Sequence, residues 1–145
     1  MRIRILSLAI SAAAFLASAS PAVLAAEPAQ QGQAITQAFQ QPIANAPGKS
    51  LTGVIVDYAP GVKSPPHRHG AAFILAYVLS GAIRSKVNDG QEMVFHAGES
   101  WTEKPGDHHV VSENASDTEP AKLLAIFVAD SNDHDFVIWD TPKGQ

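Results

Sequence analysis

A chain of 145 residues without cysteine has room for about one ordinary domain, and it leaves disulfides and thiolate metal ligands out of account. Its formal net charge is -4 and its basic residues form no cluster, which excludes a surface built to hold nucleic acid or anionic lipid by charge.

At the start of the chain, Arg2 and Arg4 precede an apolar run from Ile5 to about Ala17, then Pro21 and the small-residue stretch Val23-Leu24-Ala25-Ala26. That order describes a secretory signal peptide over 1–25, with cleavage expected after Ala25. An uncleaved anchor is the rival reading, but the run is short of the roughly 20 apolar residues that a spanning helix needs. The expected location is therefore secreted or periplasmic, with no membrane attachment after cleavage. Removing Arg2 and Arg4 from ten basic residues leaves eight against fourteen acidic ones, so the mature chain is more acidic still.

Residues 26–49 are rich in Gln, Ala and Pro and read as an N-terminal arm, exposed or packed on an edge and partly loose. The domain proper is expected over 50–145. Here short runs of β-branched and aromatic residues recur: Leu51 to Tyr58, Phe73 to Leu79, Ile83 to Val87, Gln91 to His96, Ser100 to Glu103, His109 to Ser112, Leu123 to Val128 and Phe136 to Trp139. Turn signals separate them, among them Pro60-Gly61, Ser80-Gly81, Asn88-Asp89-Gly90, Ala97-Gly98 and Pro105-Gly106. Evenly spaced strands of this kind predict an all-β sandwich or barrel. Asp89-Gly90 marks the clearest hairpin, because glycine supplies positive φ at little cost.

Two residues apart on a strand, His67 and His69 project from one face about 6.6 Å apart, so both can lean onto one ion while Arg68 points away. Pro65 and Pro66 stiffen the approach to the pair. His109 follows the Pro105-Gly106 turn, which can swing it in beside them, whereas its neighbour His108 is expected to face outward. His96, His108 and His134 read as surface or structural residues. Phe73, Phe95, Trp101, Phe127 and Trp139 read as bulk in the core or at the barrel mouth. Glu103 shares strand parity with Trp101 and is expected to face the interior, where it has two open roles: a fourth metal ligand, or a group that orients an imidazole or a substrate.

At these residues the sequence resembles the cupin superfamily, in the manner of its small single-domain exported members. The first cupin motif is a glycine, five residues, His-x-His, three or four residues, a glutamate, six residues and a glycine. Gly61, His67-Arg68-His69 and Gly81 reproduce its fixed positions, with Ile74 standing where the glutamate belongs. Gly98, Gly106 and His109 match the second motif, although Lys104 occupies its proline position and Asn114 lies one residue beyond the expected asparagine. The resemblance covers about Leu51 to Val128 and implies a double-stranded β-helix, or jelly roll, with a metal inside the barrel held by His67, His69 and His109. It also implies a small-molecule ligand or substrate and assembly as a homodimer.

A neutral three-histidine set leaves a divalent ion its full charge and open positions for an anionic, chelating ligand. Iron(II) would suit catalysis of the kind carried out by three-histidine cupin dioxygenases, while manganese, nickel, copper or zinc would also be accepted. The leading expectation is thus a dioxygenase-like oxidoreductase acting on a small oxygenated organic compound. A non-catalytic module that captures a small molecule or metal is the alternative, and a structural barrel with a vestigial pocket is the third.

Overall fold

A computed structural model describes residues 31–140. The leader expected at 1–25 lies outside the described residues, as do the first five residues assigned to the arm. The described residues form strands and no helix, arranged as two antiparallel sheets that face each other. One sheet runs in the order β1 (Gln33–Pro42), β2 (Lys49–Tyr58), β10 (Ala121–Asp130), β5 (Phe73–Ser80), β8 (Ser100–Glu103). The other runs β11 (Ile138–Trp139), β4 (His67–Arg68), β9 (His108–Asn114), β6 (Ala82–Val87), β7 (Met93–His96), with β3 (Lys63–Ser64) also paired to β9. This is the expected all-β double-stranded β-helix.

Period-two alternation decides which side chains enter the space between the sheets. On β10 the inward set is Ala121, Leu123, Ala125, Phe127 and Ala129, and on β5 it is Ile74, Ala76 and Val78. Because Ile74 faces in, Phe73 must face out; expected as core or mouth-lining bulk, it lies exposed on the outer face of its sheet beside Tyr77 and Leu79. Two apolar clusters fill the interior. One gathers Tyr58, Val78, Ile83 and Leu123 at one end, and the other gathers Ala72, Ile74, Phe127 and Phe136.

Most of the expected strands are present, and the departures have local causes. Residues 33–42, expected to be partly loose, form the edge strand β1 along the whole of β2, from Gln33 opposite Tyr58 to Pro42 opposite Ser50. Phe39 explains why a Gln-rich segment can dock there, since its ring occupies the space that any side chain at Gly53 would need. The strand expected from Gln91 begins only at Met93, and the one expected from Phe136 is reduced to Ile138–Trp139. In the Asn88–Gly90 turn it is Asn88 that takes positive φ (52°). Its side chain makes this tolerable by accepting from the His108 amide (2.9 Å) and donating to Asp107 (2.8 Å).

The four motif glycines, Gly61, Gly81, Gly98 and Gly106, all lie at positive φ. Gly81 is the most constrained: a Cβ there would stand 2.6 Å from the Pro120 carbonyl oxygen. Gly106, by contrast, has nothing within 4 Å. Gly106→Ala is therefore expected to cost only the left-handed backbone penalty, about 1–2 kcal/mol, and Gly81→Ala clearly more. Urea unfolding of the two variants checks the order, and equal losses would show that the Pro120 contact yields freely.

Candidate metal centre

The interior cluster is assembled by strand pairing. β4 lies antiparallel to β9 with His67 directly opposite His109, which brings their ring centroids to 5.0 Å. The strand ends at Arg68, one residue earlier than the spacing argument requires, yet His69 still turns inward, with its ring 4.8 Å from that of His67. Arg68 points outward and donates to the Gly106 carbonyl (2.9 Å), while the Gly106 amide donates to the Gly70 carbonyl (2.8 Å). The loops that follow the His-x-His and precede His109 are thus tied directly to each other.

On β9 the register slips at Val110: Lys86 faces Val111, but Val87 faces His109. The extra residue is a β-bulge, and it allows His109 and Ser112, three apart, both to be buried on the inner side. His108 is left facing the other way, where it meets Asp140 at 2.8 Å. The remaining histidines are exposed, His96 beside Glu99 and His134 in the 131–137 segment.

Each inward ring has a fixed orientation. His67 Nδ1 lies 2.7 Å from the Pro65 carbonyl and His69 Nδ1 lies 2.7 Å from the Phe136 carbonyl. A carbonyl can only accept, so both rings carry their proton on Nδ1 and present the lone pair of Nε2 to the cavity. His109 is placed by Ser85 Oγ at 2.9 Å from Nε2, with Nδ1 toward Glu103. The candidate ligand nitrogens of His67, His69 and His109 all lie within 4.8 Å of one another.

Glu103 adjoins this group through two of its three rings. It is 1% exposed and stands directly across the β5–β8 pair from Ile74, which is also 1% exposed. Its Oε1 accepts from Trp101 Nε1 (3.1 Å) and lies 3.2 Å from His109 Nδ1. Its Oε2 lies 3.5 Å from His69 Nε2 and has no hydrogen-bond partner among the described residues.

Burial governs the protonation of all four groups. Desolvation lowers the pKa of His67, and it lowers His69 to about 4 and His109 to about 3, in both cases helped by neighbouring imidazoles. The same desolvation raises Glu103 to about 7 against the pull of the Trp101 hydrogen bond. At neutral pH the short histidine–glutamate contacts therefore join uncharged rings to a carboxyl, and they are not ion pairs. Neutral imidazoles, two of them with Nε2 lone pairs turned to the cavity, and a buried carboxyl oxygen without a partner among the described residues are a donor set that a divalent cation fits.

The cluster opens into a cavity of about 60 Å³ whose wall is mainly apolar, with Ile74, Ala125, Phe127 and Trp139 among its lining residues. A polar strip also lines it. Tyr58 Oη meets Ser64 Oγ at 2.8 Å and Ser112 Oγ at 3.0 Å, and Gln33 Nε2 donates to Ser64 Oγ at 2.7 Å. Sequence reasoning missed Gln33, Tyr58, Ser64, Ser85 and Ser112, because isolated polar residues in β-rich stretches carry no spacing signal. Asn114, off register in the motif, is buried and donates to the Ala59 and Glu119 carbonyls (3.1 and 2.8 Å), holding loops together away from the rings.

Two facing antiparallel sheets enclosing a three-histidine cluster define a double-stranded β-helix barrel with a candidate metal centre. The chain belongs to the cupin family: the model of the Cupin domain matches residues 54–127. It is similar to the cupin-domain-containing oxidoreductase fogC of Aspergillus ruber, with 27% identity over 79 residues, 54% of this chain and 38% of that protein. The chain thus spans well under half the length of this curated relative. Among solved structures it is similar to a protein with a double-stranded β-helix domain from Klebsiella pneumoniae (21% identity, TM-score 0.57, 73% of this chain and 84% of that one). It is also similar to an oxalate oxidase (24% identity, TM-score 0.57, 79% of this chain and 57% of that one). KdgF from Halomonas sp. is comparable (18% identity, TM-score 0.55, 73% and 86%). At these identities the likeness to the solved structures is one of fold.

The sign of the pH dependence follows from the two kinds of shift. Glu103, raised from 4.5 to about 7, contributes stability that is complete below 4.5 and lost as the pH rises to about 7. His69 and His109, lowered from 6.5, contribute stability that is complete above 6.5 and lost as the pH falls toward about 4 and 3. Glu103→Gln removes only the first effect. In chelator-treated protein, the stability of this variant relative to wild type is expected to rise between pH 4.5 and about 7 and then level off. The total change should be on the order of 3 kcal/mol. Melting curves across that range measure it, and a pH-independent difference would show that the carboxyl ionises as freely as in water.

Proposed function

We propose that the chain is a metal-binding cupin in which His67, His69 and His109 hold a divalent transition metal, and that it acts as an oxidoreductase on a small oxygenated organic compound. The observation that carries the reading is the convergence of three buried, hydrogen-bonded imidazoles on one mainly apolar cavity. The names of the fogC relative and of the oxalate oxidase point the same way. Iron(II) is the ion we favour for catalysis, and manganese, nickel, copper and zinc also suit the donor set. A redox-active ion, when bound, would supply the electron-transfer chemistry that this set of side chains lacks.

The chain's own residues would do the rest. Ile74, Ala125 and Phe127 set hydrocarbon against the cluster, and the lower local dielectric strengthens polar contacts made beside it. Tyr58, backed by Ser64 and Ser112, offers a hydroxyl that can orient an oxygen of the ligand. A cavity of about 60 Å³ limits that ligand to a handful of heavy atoms. The same small volume favours a second reading, in which the site captures an ion or small molecule without turning it over. Both readings include export, with the leader cleaved after Ala25.

Metal analysis of protein purified without a histidine tag is the first test, with about one equivalent expected and His67→Ala/His69→Ala reducing it to background. No bound metal, even after loading with iron, manganese, nickel, copper or zinc, would sink the reading. Oxygen consumption by the iron-loaded protein with small hydroxy acids and diketones then separates enzyme from binder.

We also propose a homodimer formed through the outer face of the five-stranded sheet, where Phe73, Tyr77 and Leu79 are exposed along β5. Sedimentation equilibrium should give twice the chain mass for wild type and a monomer for Tyr77→Glu/Leu79→Glu. A monomeric wild type at micromolar concentration would refute it.

A further inference from the structure

The three imidazoles do not account for the most tightly buried charged group in the barrel. Glu103 sits at the end of β8, enclosed by Ile74, Trp101 and the rings of His69 and His109, and among the described residues it meets no lysine or arginine. Trp101 satisfies Oε1, but Oε2 has no hydrogen-bond partner among the described residues and faces Nε2 of His69, whose proton is on Nδ1, at 3.5 Å. A buried carboxyl oxygen and the lone pair of a ring nitrogen that converge on one point form an arrangement that a cation can bind between.

Ile74 and Glu103 are direct cross-strand partners on the same inner face of the β5–β8 pair. Directly opposed residues have Cβ atoms about 4.5–5.5 Å apart, so a carboxylate arm based at either position can reach the same point. Position 74 is where the His-x-His motif would carry its glutamate, and Ile74 fills it with hydrocarbon. We infer that Glu103 is the carboxylate ligand of the metal centre, supplied from the neighbouring strand in place of a glutamate at position 74. The inference rests on the proposed metal site and deepens it: the ligand set is three histidines and one carboxylate, and the site carries one fewer net positive charge than a histidine-only site.

The test measures binding of cobalt(II) and zinc(II) alone, by chelator competition at pH 8, to wild type, Glu103→Gln and the exchanged variant Ile74→Glu/Glu103→Ile. Glu103→Gln is expected to weaken binding at least about tenfold and to alter the cobalt visible spectrum, while the exchanged variant recovers most of the affinity. Far-UV circular dichroism and melting curves establish that each variant is folded. Glu103→Gln that binds as tightly as wild type with an unchanged cobalt spectrum overturns the inference, even though the three-histidine site survives. A folded exchanged variant that binds no better than Glu103→Gln overturns the equivalence of the two positions. Failure of wild type itself to bind either ion removes the proposed function and this inference together.

Discussion

Four titratable side chains share the interior of a small β barrel, and the cost of keeping them there shapes much of the surrounding structure. Desolvation alone moves the imidazoles toward neutrality and the carboxyl toward protonation, so without a cation the cluster is least unfavourable when uncharged. The barrel offsets part of that cost with hydrogen bonds: backbone carbonyls for His67 and His69, a serine for His109 and an indole for Glu103. One carboxylate oxygen is left over. Among the described residues no donor meets that atom, which makes Glu103 the least satisfied of the four groups.

The scaffold fixes the rings with very little regular structure. β4 is two residues long, but its pairing with β9 sets His67 against His109, and a single bulge at Val110 keeps His109 and Ser112 on one side. Arg68, whose side chain faces away from the cavity, ties the two histidine-bearing turns through the Gly106 carbonyl. The same sheet pairing places Glu103 opposite Ile74, so a carboxylate enters the cluster from a strand that contributes no histidine.

The sequence made the barrel and the three histidines legible, because glycine-punctuated strands and His-x-His each leave a periodic trace. All four motif glycines occupy positive φ, which is the physical content of their spacing. Strand parity likewise placed Glu103 indoors. What escaped is what depends on register between distant segments. The pairing of β1 with β2 turns on one aromatic ring filling the space above Gly53, and nothing local to 33–42 announces it. Phe73 is exposed although aromatic character suggests burial, because it alternates with the inward-facing Ile74. The polar strip of Gln33, Tyr58, Ser64 and Ser112 draws on four separate strands, so no window of sequence contains it.

The tether between His69 and Phe136 joins residues 67 positions apart, and it makes the centre depend on the segment that follows β10. That segment is held by two residue pairs between β11 and β4, an Asp140 amide to Pro66 carbonyl bond of 3.1 Å, and the His108–Asp140 contact. Phe136 also packs against Phe127 in the buried cluster, with ring centroids 5.0 Å apart, so side chains as well as backbone seat the segment. Displacing the segment would take away the acceptor that fixes the His69 ring and the Trp139 ring that stands against His67. The orientation of two of the three inward rings is thus tied to how a short peripheral segment, distant from them in the sequence, packs against the barrel.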